Sequence, residues 1–287
     1  MALGQPGVVA AYLIHGKENA LIDMGYASSA TTVVQDIEQS GIGAEGIHYL
    51  LPTHVHLDHC GACGELATRF PRASIRVHPK GLPHLVDPTK LWQGAGELFG
   101  DELLGKFGKP RPVPAKSVRA IGDNEVINLG NLSLRSIWTP GHASHHLSYV
   151  AEDRGIIFTG DAVGIRYPSF PVLIPTTPPT SFNLEDAVDS LGLLRATAPK
   201  RLLTPHFGED DQAVDSIEAN IRCLRDWAAK VERMRNDGLS VDSIIARVTE
   251  EMAELGQGRY SSLPSYAQTS IRISVLGAIR YLGPRVG

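Results

Sequence analysis

Apolar residues fall in short runs broken by Gly, Pro, Asn and Asp over most of this chain, a spacing that predicts strands rather than long helices. The runs sit at 8–14, 20–23, 48–52, 75–77, 117–120, 125–129, 132–138, 147–150, 155–159 and 201–203. The turn-prone Gly16-Lys17-Glu18-Asn19 joins the first two as a hairpin. Helical periodicity intervenes at 28–40, where Ser28 or Ser29 would cap and Val33, Val34 and Ile37 share a face, and again at 61–70 and 184–196. Strands and helices alternate in blocks instead of a strict βαβ rhythm. Layered α/β packing with mixed sheets is therefore expected, not a doubly wound parallel sheet.

Two regions depart from this pattern. Between 81 and 114 the periodicity loosens around Trp92, Phe99 and Phe107, giving either a pocket wall or a helical cover over the core. From Asp211 the period becomes helical: Ile217, Ile221, Leu224 and Ala228 recur on one face, as do Val241, Ile244, Ile245 and Val248. This divides the chain into a body at 1–210, with an insertion at 81–114, and a helical extension at 211–287. The proline-rich run at 171–179 reads as a rigid, apolar segment.

At 287 residues and 43% hydrophobic content, the chain can bury a sizeable core. Its formal charge of -4, with scattered Lys and Arg, offers no basic stripe for nucleic acid or an anionic membrane. Met1-Ala2-Leu3-Gly4-Gln5-Pro6 is not a basic segment leading into an apolar run, and no stretch approaches a membrane span. A soluble cytoplasmic protein acting on a small molecule is expected; the sequence is silent on oligomeric state, a homodimer included. Three cysteines make no disulfide framework. Cys60 and Cys63 are either a redox or metal-binding pair or small residues at the start of a helix.

The densest chemistry lies in Thr53-His54-Val55-His56-Leu57-Asp58-His59. On an extended segment residues i and i+2 point the same way, so His54 and His56 can converge on one ion. Asp58 and His59 break that alternation and can serve a second ion. His48-Tyr49-Leu50-Leu51-Pro52 places the cluster at the end of a buried strand. Three more side chains sit just past apolar strands: His142 in Thr139-Pro140-Gly141-His142, Asp161 in Phe158-Thr159-Gly160-Asp161, and His206 in Thr204-Pro205-His206-Phe207-Gly208.

The ordered set resembles the metallo-β-lactamase fold superfamily, whose motif runs His-x-His-x-Asp-His, then His, then Asp, then His, and the likeness covers residues 8–210. It implies an αββα sandwich of two mixed sheets flanked by helices. It also implies two divalent cations, zinc first with iron or manganese as substitutes. His54, His56 and His142 would hold one, Asp58, His59 and His206 the other, with Asp161 bridging. The family's antibiotic-hydrolysing enzymes commonly carry cysteine at that bridge. Asp161 points instead to the glyoxalase II-like and lactonase-like branches. Asp23, in Leu21-Ile22-Asp23-Met24-Gly25, resembles the aspartate that orients the ligand loop. His146 matches the second histidine of a Thr-Pro-Gly-His-x-x-x-His pattern; His145 departs from it and would cap the turn or contact substrate.

The chemistry so implied is hydrolysis of a small ester, thioester or lactone by a hydroxide shared between two metals, with Asp58 carrying the proton and Tyr167 a candidate donor. A persulfide dioxygenase-like iron enzyme and an RNase Z-like phosphoesterase are the rivals on the same scaffold. The second lacks a basic surface or RNA-gripping arm here. A di-iron flavin-linked reductase usually replaces the second histidine with glutamate, whereas His56 is intact. After Asp161, Ala162-Val163-Gly164-Ile165-Arg166-Tyr167-Pro168 does not resemble glyoxalase II, so glutathione specificity is not expected.

Overall fold

A computed structural model describes residues 7–206, 208–256 and 263–284. Residues 1–6, read above for a leader, and Phe207 of the last motif lie outside the described residues. The first sheet holds β1 (Tyr12–Ile14), β2 (Asn19–Ile22), β3 (Ile47–Leu51), β4 (Ser74–Val77) and β5 (Val118–Ala120) in sequence order. The second comprises β6 (Val126–Asn128), β7 (Ser133–Trp138), β8 (Leu147–Ala151), β9 (Ile156–Phe158), β12 (Arg201–Thr204) and β13 (Gly208–Asp210) in the order β13-β12-β9-β8-β7-β6. A separate hairpin pairs β10 (Ile165–Tyr167) with β11 (Phe170–Ile174). Both large sheets are mixed: β1 and β2 are antiparallel while β2 to β5 run parallel, and β12 is parallel to β9 within an otherwise antiparallel sheet.

The two-residue period of strands divides apolar side chains between layers. Ala20, Ile22 and Leu51 face inward onto Leu134, Leu147, Tyr149 and Phe158 of the other sheet. Their neighbours Leu21 and Leu50 face outward, under Ile37 of α1 (Ala30–Gln39) and Leu66 of α3 (Cys63–Arg69). On the far side, Val150, Ile157 and Leu202 meet Leu191 and Leu194 of α7 (Leu184–Ala196) and Ile217 of α8 (Ala213–Asn236). The layers are thus helix, sheet, sheet, helix. Each fully buried aliphatic side chain contributes roughly 1.5–3 kcal/mol.

The region 81–114 forms three helices, α4 (Leu82–Val86), α5 (Thr89–Phe99) and α6 (Asp101–Phe107), whose apolar side chains Leu85, Leu104 and Phe107 join the core. Leu104 and Phe107 of α6 enter one cluster with the β10–β11 hairpin and with α8, α9 (Val241–Gly256) and α10 (Ser265–Tyr281). Tyr26 and Leu57, beside the ligand loop, belong to the same cluster. Insertion and tail therefore meet next to the site. α10 approaches so closely that a Cβ at Gly277 would lie 1.7 Å from the Thr177 carbonyl oxygen.

Two expectations need correction. The helix placed at 61–70 begins earlier, as α2 (Leu57–Cys60) followed by α3, because the chain turns helical immediately after the extended His56 (φ -69°, ψ 153°). The proline-rich segment contains a strand, β11, with Pro171 exposed; proline is tolerated there because the hairpin has no interior strand. Among the described residues no helix is long and apolar enough to cross a membrane.

Candidate metal centre

β7 and β9 are both antiparallel to β8, and β12 is parallel to β9, so all three run the same way and end at one edge of the second sheet. His142, Asp161 and His206 follow those three ends. From the first sheet, β3 delivers His54 and His56, and β2, its parallel neighbour, delivers Asp23. A bond from the Leu147 N–H to the Thr53 carbonyl (2.8 Å) ties the two edges together. Asp58 and His59 occupy the first turn of α2, which redirects them away from His54 and His56.

The seven side chains converge. Donor atoms of His54, His56 and His142 lie within 4.8 Å of one another, as do those of Asp58, His59 and His206, and those of His54, His59 and Asp161. Asp161 faces both groups with different oxygens: Oδ2 is 3.4 Å from His142 Nε2, while Oδ1 is 3.4 Å from His206 Nε2 and 3.5 Å from His59 Nε2. Asp58 Oδ2 stands 3.5 Å from His206 Nε2 and 3.6 Å from His59 Nε2.

Outer hydrogen bonds decide which ring nitrogens face inward. His142 Nδ1 donates to the Thr176 carbonyl (3.0 Å), His206 Nδ1 to the Val8 carbonyl (2.8 Å) and His59 Nδ1 to Asp23 Oδ2 (2.9 Å). Thr53 Oγ1 donates to the Asp23 carboxylate and therefore accepts from His54 Nδ1 (3.1 Å). When neutral, these four rings present bare Nε2 lone pairs to the centre. His54 Nε2 and His142 Nε2 both come within 2.9 Å of His56 Nδ1, which has at most one proton to offer two acceptors. His59 Nε2 and Asp161 Oδ1 are buried with no hydrogen-bond partner among the described residues. Unpartnered buried lone pairs are costly, and cations would satisfy them together. The donor set fits divalent metal.

The two halves differ electrically. Burial, reinforced by neighbouring imidazoles, drives His54 well below its ordinary pKa, His56 down to about 3 and His142 to about 4. In the other half burial also pushes downward, but Asp58, Asp23 and Asp161 raise His59 well above 6.5, and Asp161 and Asp58 raise His206. Asp161 is held well below the usual carboxylate range: burial opposes its charge, and His59, His206 and His142 outweigh that. One half is a neutral nitrogen cage, the other a carboxylate corner that draws positive charge.

His146 positions the bridge. Its Nε2 accepts from the Asp161 N–H (2.9 Å) and its Nδ1 donates to Thr139 Oγ1 (2.8 Å), which continues to Ser148 Oγ and the Thr159 carbonyl. Gly160, at φ +51°, leaves room for this ring, since a Cβ would come within 2.5 Å of His146 Nε2. Cys60 and Cys63 lie buried in α2 and α3, with burial raising the first thiol well up and the second to about 12. They belong to none of the candidate metal groups and read as packing residues.

Tyr167 lies beside His206, rings 6.2 Å apart, but its hydroxyl bonds Ser270 Oγ at 2.9 Å. Ser270 donates to the Tyr266 carbonyl, so the phenol is the donor to Ser270. The donor role expected for Tyr167 therefore meets a proton already engaged. Tyr26 was missed. It stacks on Phe107 (4.5 Å), its hydroxyl has no partner among the described residues, and burial with the charge of Asp58 raises its pKa. The signal was its place directly after Asp23-Met24-Gly25, the turn that orients the ligand loop. A groove of about 560 Å³, lined by Lys17, Tyr49, Arg76 and Gly130 among others, shares no residue with the candidate ligand groups.

Paired sheets whose common edge brings together His and Asp groups that could hold metal define a metal-binding αββα protein. Residues 4–206 match the model of the metallo-β-lactamase superfamily, and the chain belongs to that family. It is 30% identical over 178 residues to a metallo-β-lactamase fold-containing protein of Sulfurisphaera tokodaii, a stretch covering 61% of this chain and 63% of that one. The crystal structure of that archaeal protein superposes with a TM-score of 0.67 at 21% identity, covering 96% of this chain and 93% of the other. A probable metallo-hydrolase of Methanocaldococcus jannaschii is 29% identical over 152 residues (53% and 66% of the two chains). An atrochrysone carboxyl ACP thioesterase of Aspergillus fumigatus is 28% identical over 151 residues, 52% of this chain and 37% of that one.

Proposed function

We propose that the protein is a dinuclear metal-dependent hydrolase of small esters, thioesters or lactones. The observation that carries this reading is Asp161, whose two oxygens face separate ligand groups, Oδ2 toward His142 and Oδ1 toward His206 and His59. His54, His56 and His142 would hold one divalent cation and Asp58, His59 and His206 the other. Nitrogen and oxygen donors of this kind suit zinc, with iron or manganese as alternatives. When bound, such a pair supplies an acidified water and Lewis acidity toward a carbonyl oxygen.

This chain's residues do the rest. Asp23 and Thr53 fix the tautomers of His59 and His54, His146 holds Asp161 in place, and Asp58 is the carboxylate able to take up a proton. Tyr26 offers an unengaged phenol on the Asp58 side. Its ring stacks on Phe107 within a buried apolar cluster. Resemblance to named metallo-hydrolases and to a thioesterase supports acyl transfer to water over redox chemistry.

Elemental analysis of the purified protein, with thioesters, lactones, phosphoesters and persulfides assayed in parallel, tests the proposal. Two metals per chain with thioester or lactone turnover are expected. Oxygen consumption on persulfide without hydrolysis would overturn it in favour of the iron-enzyme reading.

A further inference from the structure

The loop that carries His142 also carries an imidazole that the metal site does not use. The His145 ring lies 6.0 Å from that of His56 and 6.2 Å from that of His54, with neither of its nitrogens hydrogen-bonded to another of the described residues. Nδ1 is sealed from solvent, while the residue as a whole stays partly exposed. A neutral ring so placed keeps its proton on Nε2, since a buried unpartnered N–H is the costlier arrangement.

Around it stand side chains from α4, from the segment between β4 and α4, and from β7. His84 sits 6.5 Å from His145, ring to ring. Trp138 donates its indole N–H to the Ser144 carbonyl (3.1 Å), packs 5.6 Å from the stacked ring of His78, and has the Lys80 ammonium 5.3 Å from its centroid. Lys80 is exposed and has no carboxylate partner among the described residues. The acid placed close by, Asp123, is engaged at both oxygens, by the Trp138 N–H and by Asn124 Nδ2. The His145 and His84 imidazoles and the Lys80 ammonium, seated on Trp138, thus cluster around this loop next to the His54 and His56 rings.

Resting on the hydrolase reading above, we propose that His145 and Lys80, with His84, form a subsite for a carboxylate carried by the substrate. The preferred substrate is an ester or thioester with an acidic acyl chain. A single ammonium matches a monoanion, and the imidazole N–H supplies a directed bond.

Two measurements test this. In the metal-loaded enzyme, a succinyl thioester is compared with its neutral amide analogue. Lys80→Ala should raise KM for the acidic substrate about threefold with kcat unchanged, as for an exposed charge pair. His145→Ala should lower kcat/KM for it by roughly ten- to a hundredfold, the worth of one hydrogen bond to a charged acceptor, and leave the neutral analogue and the metal content unaltered. Equal losses on both substrates would overturn the subsite. Independently of turnover, succinate titrated calorimetrically into the protein should bind more tightly than succinamide, and the preference should vanish in the double variant. A preference that survives both substitutions, or none in the unaltered protein, sinks the proposal. Absent thioester turnover with succinate preference intact would instead strike the hydrolase reading and leave the carboxylate site standing.

Discussion

Asp23→Asn is the sharpest test of how the ligand set is organised. The carboxylate, 2% exposed, accepts from the Thr53 N–H (2.8 Å), the Thr53 hydroxyl (3.0 and 3.1 Å) and His59 Nδ1 (2.9 Å). The amide keeps one acceptor for Thr53 and places an N–H against His59 Nδ1. Two donors cannot face each other, so His59 must shift its proton to Nε2, the nitrogen that faces Asp58 and Asp161. That blocks one ligand of the carboxylate corner. Loss of such an orienting partner costs about 10–100-fold in metal affinity, or roughly 1.4–2.8 kcal/mol. The nitrogen cage should suffer less, since Asp23 reaches His54 only through Thr53. Chelator competition would read this as two sites of unequal affinity, one weakened and one nearly unchanged. Thr53→Val provides the converse control, weakening the cage by removing the acceptor of His54 Nδ1. Equal weakening of both ions by Asp23→Asn, or none, would refute the tautomer argument.

Further outcomes follow from the same geometry. Asp161→Ala should lose at least one metal and nearly all turnover; retention of both ions with normal rates would reject the bridge. Metal-free protein should lose stability as pH falls below about 6.5, because unfolded His56 and His142 take up protons that the fold resists down to about 3 and about 4. Each contributes a slope of about 1.4 kcal/mol per pH unit across that window. His59 and His206 act in the opposite sense: their raised folded pKa gives stability that is complete below about 6.5 and fades at higher pH. Denaturant titrations should therefore place the metal-free optimum near neutrality, and a flat profile between pH 4 and 7 would contradict the burial argument. Tyr167→Phe should cost about 1 kcal/mol through its lost bond to Ser270 and leave kcat unchanged. Tyr26→Phe should lower kcat without altering metal content; steady-state kinetics and metal analysis separate the two.

The convergence of the candidate ligands was legible because metal chemistry constrains residue type and local backbone together. His54 and His56 alternate on extended chain, Asp58 and His59 break that alternation, and the structure realises the break as the first turn of α2. Likewise His142, Asp161 and His206 each follow an apolar run, and those runs are the co-directed strands β7, β9 and β12. What stayed hidden depends on tertiary pairing. Nothing local indicates that Phe170–Ile174, with proline inside it, becomes a strand; its partner at Ile165–Tyr167 decides that. Nor does Tyr26 stand out until Phe107, eighty-one positions away by subtraction, stacks on it. The same limit explains Tyr167. Proximity to Asp161 in sequence suggested a donor, but the hydroxyl's fate is set by Ser270 in α10, an element whose own sequence carries no sign of the site. Chemistry that must be donated by ligands is written in short motifs, while the second layer that fixes protons and excludes water is assembled from distant helices. His145, the residue that departs from the motif, belongs to that second layer and to none of the candidate metal groups.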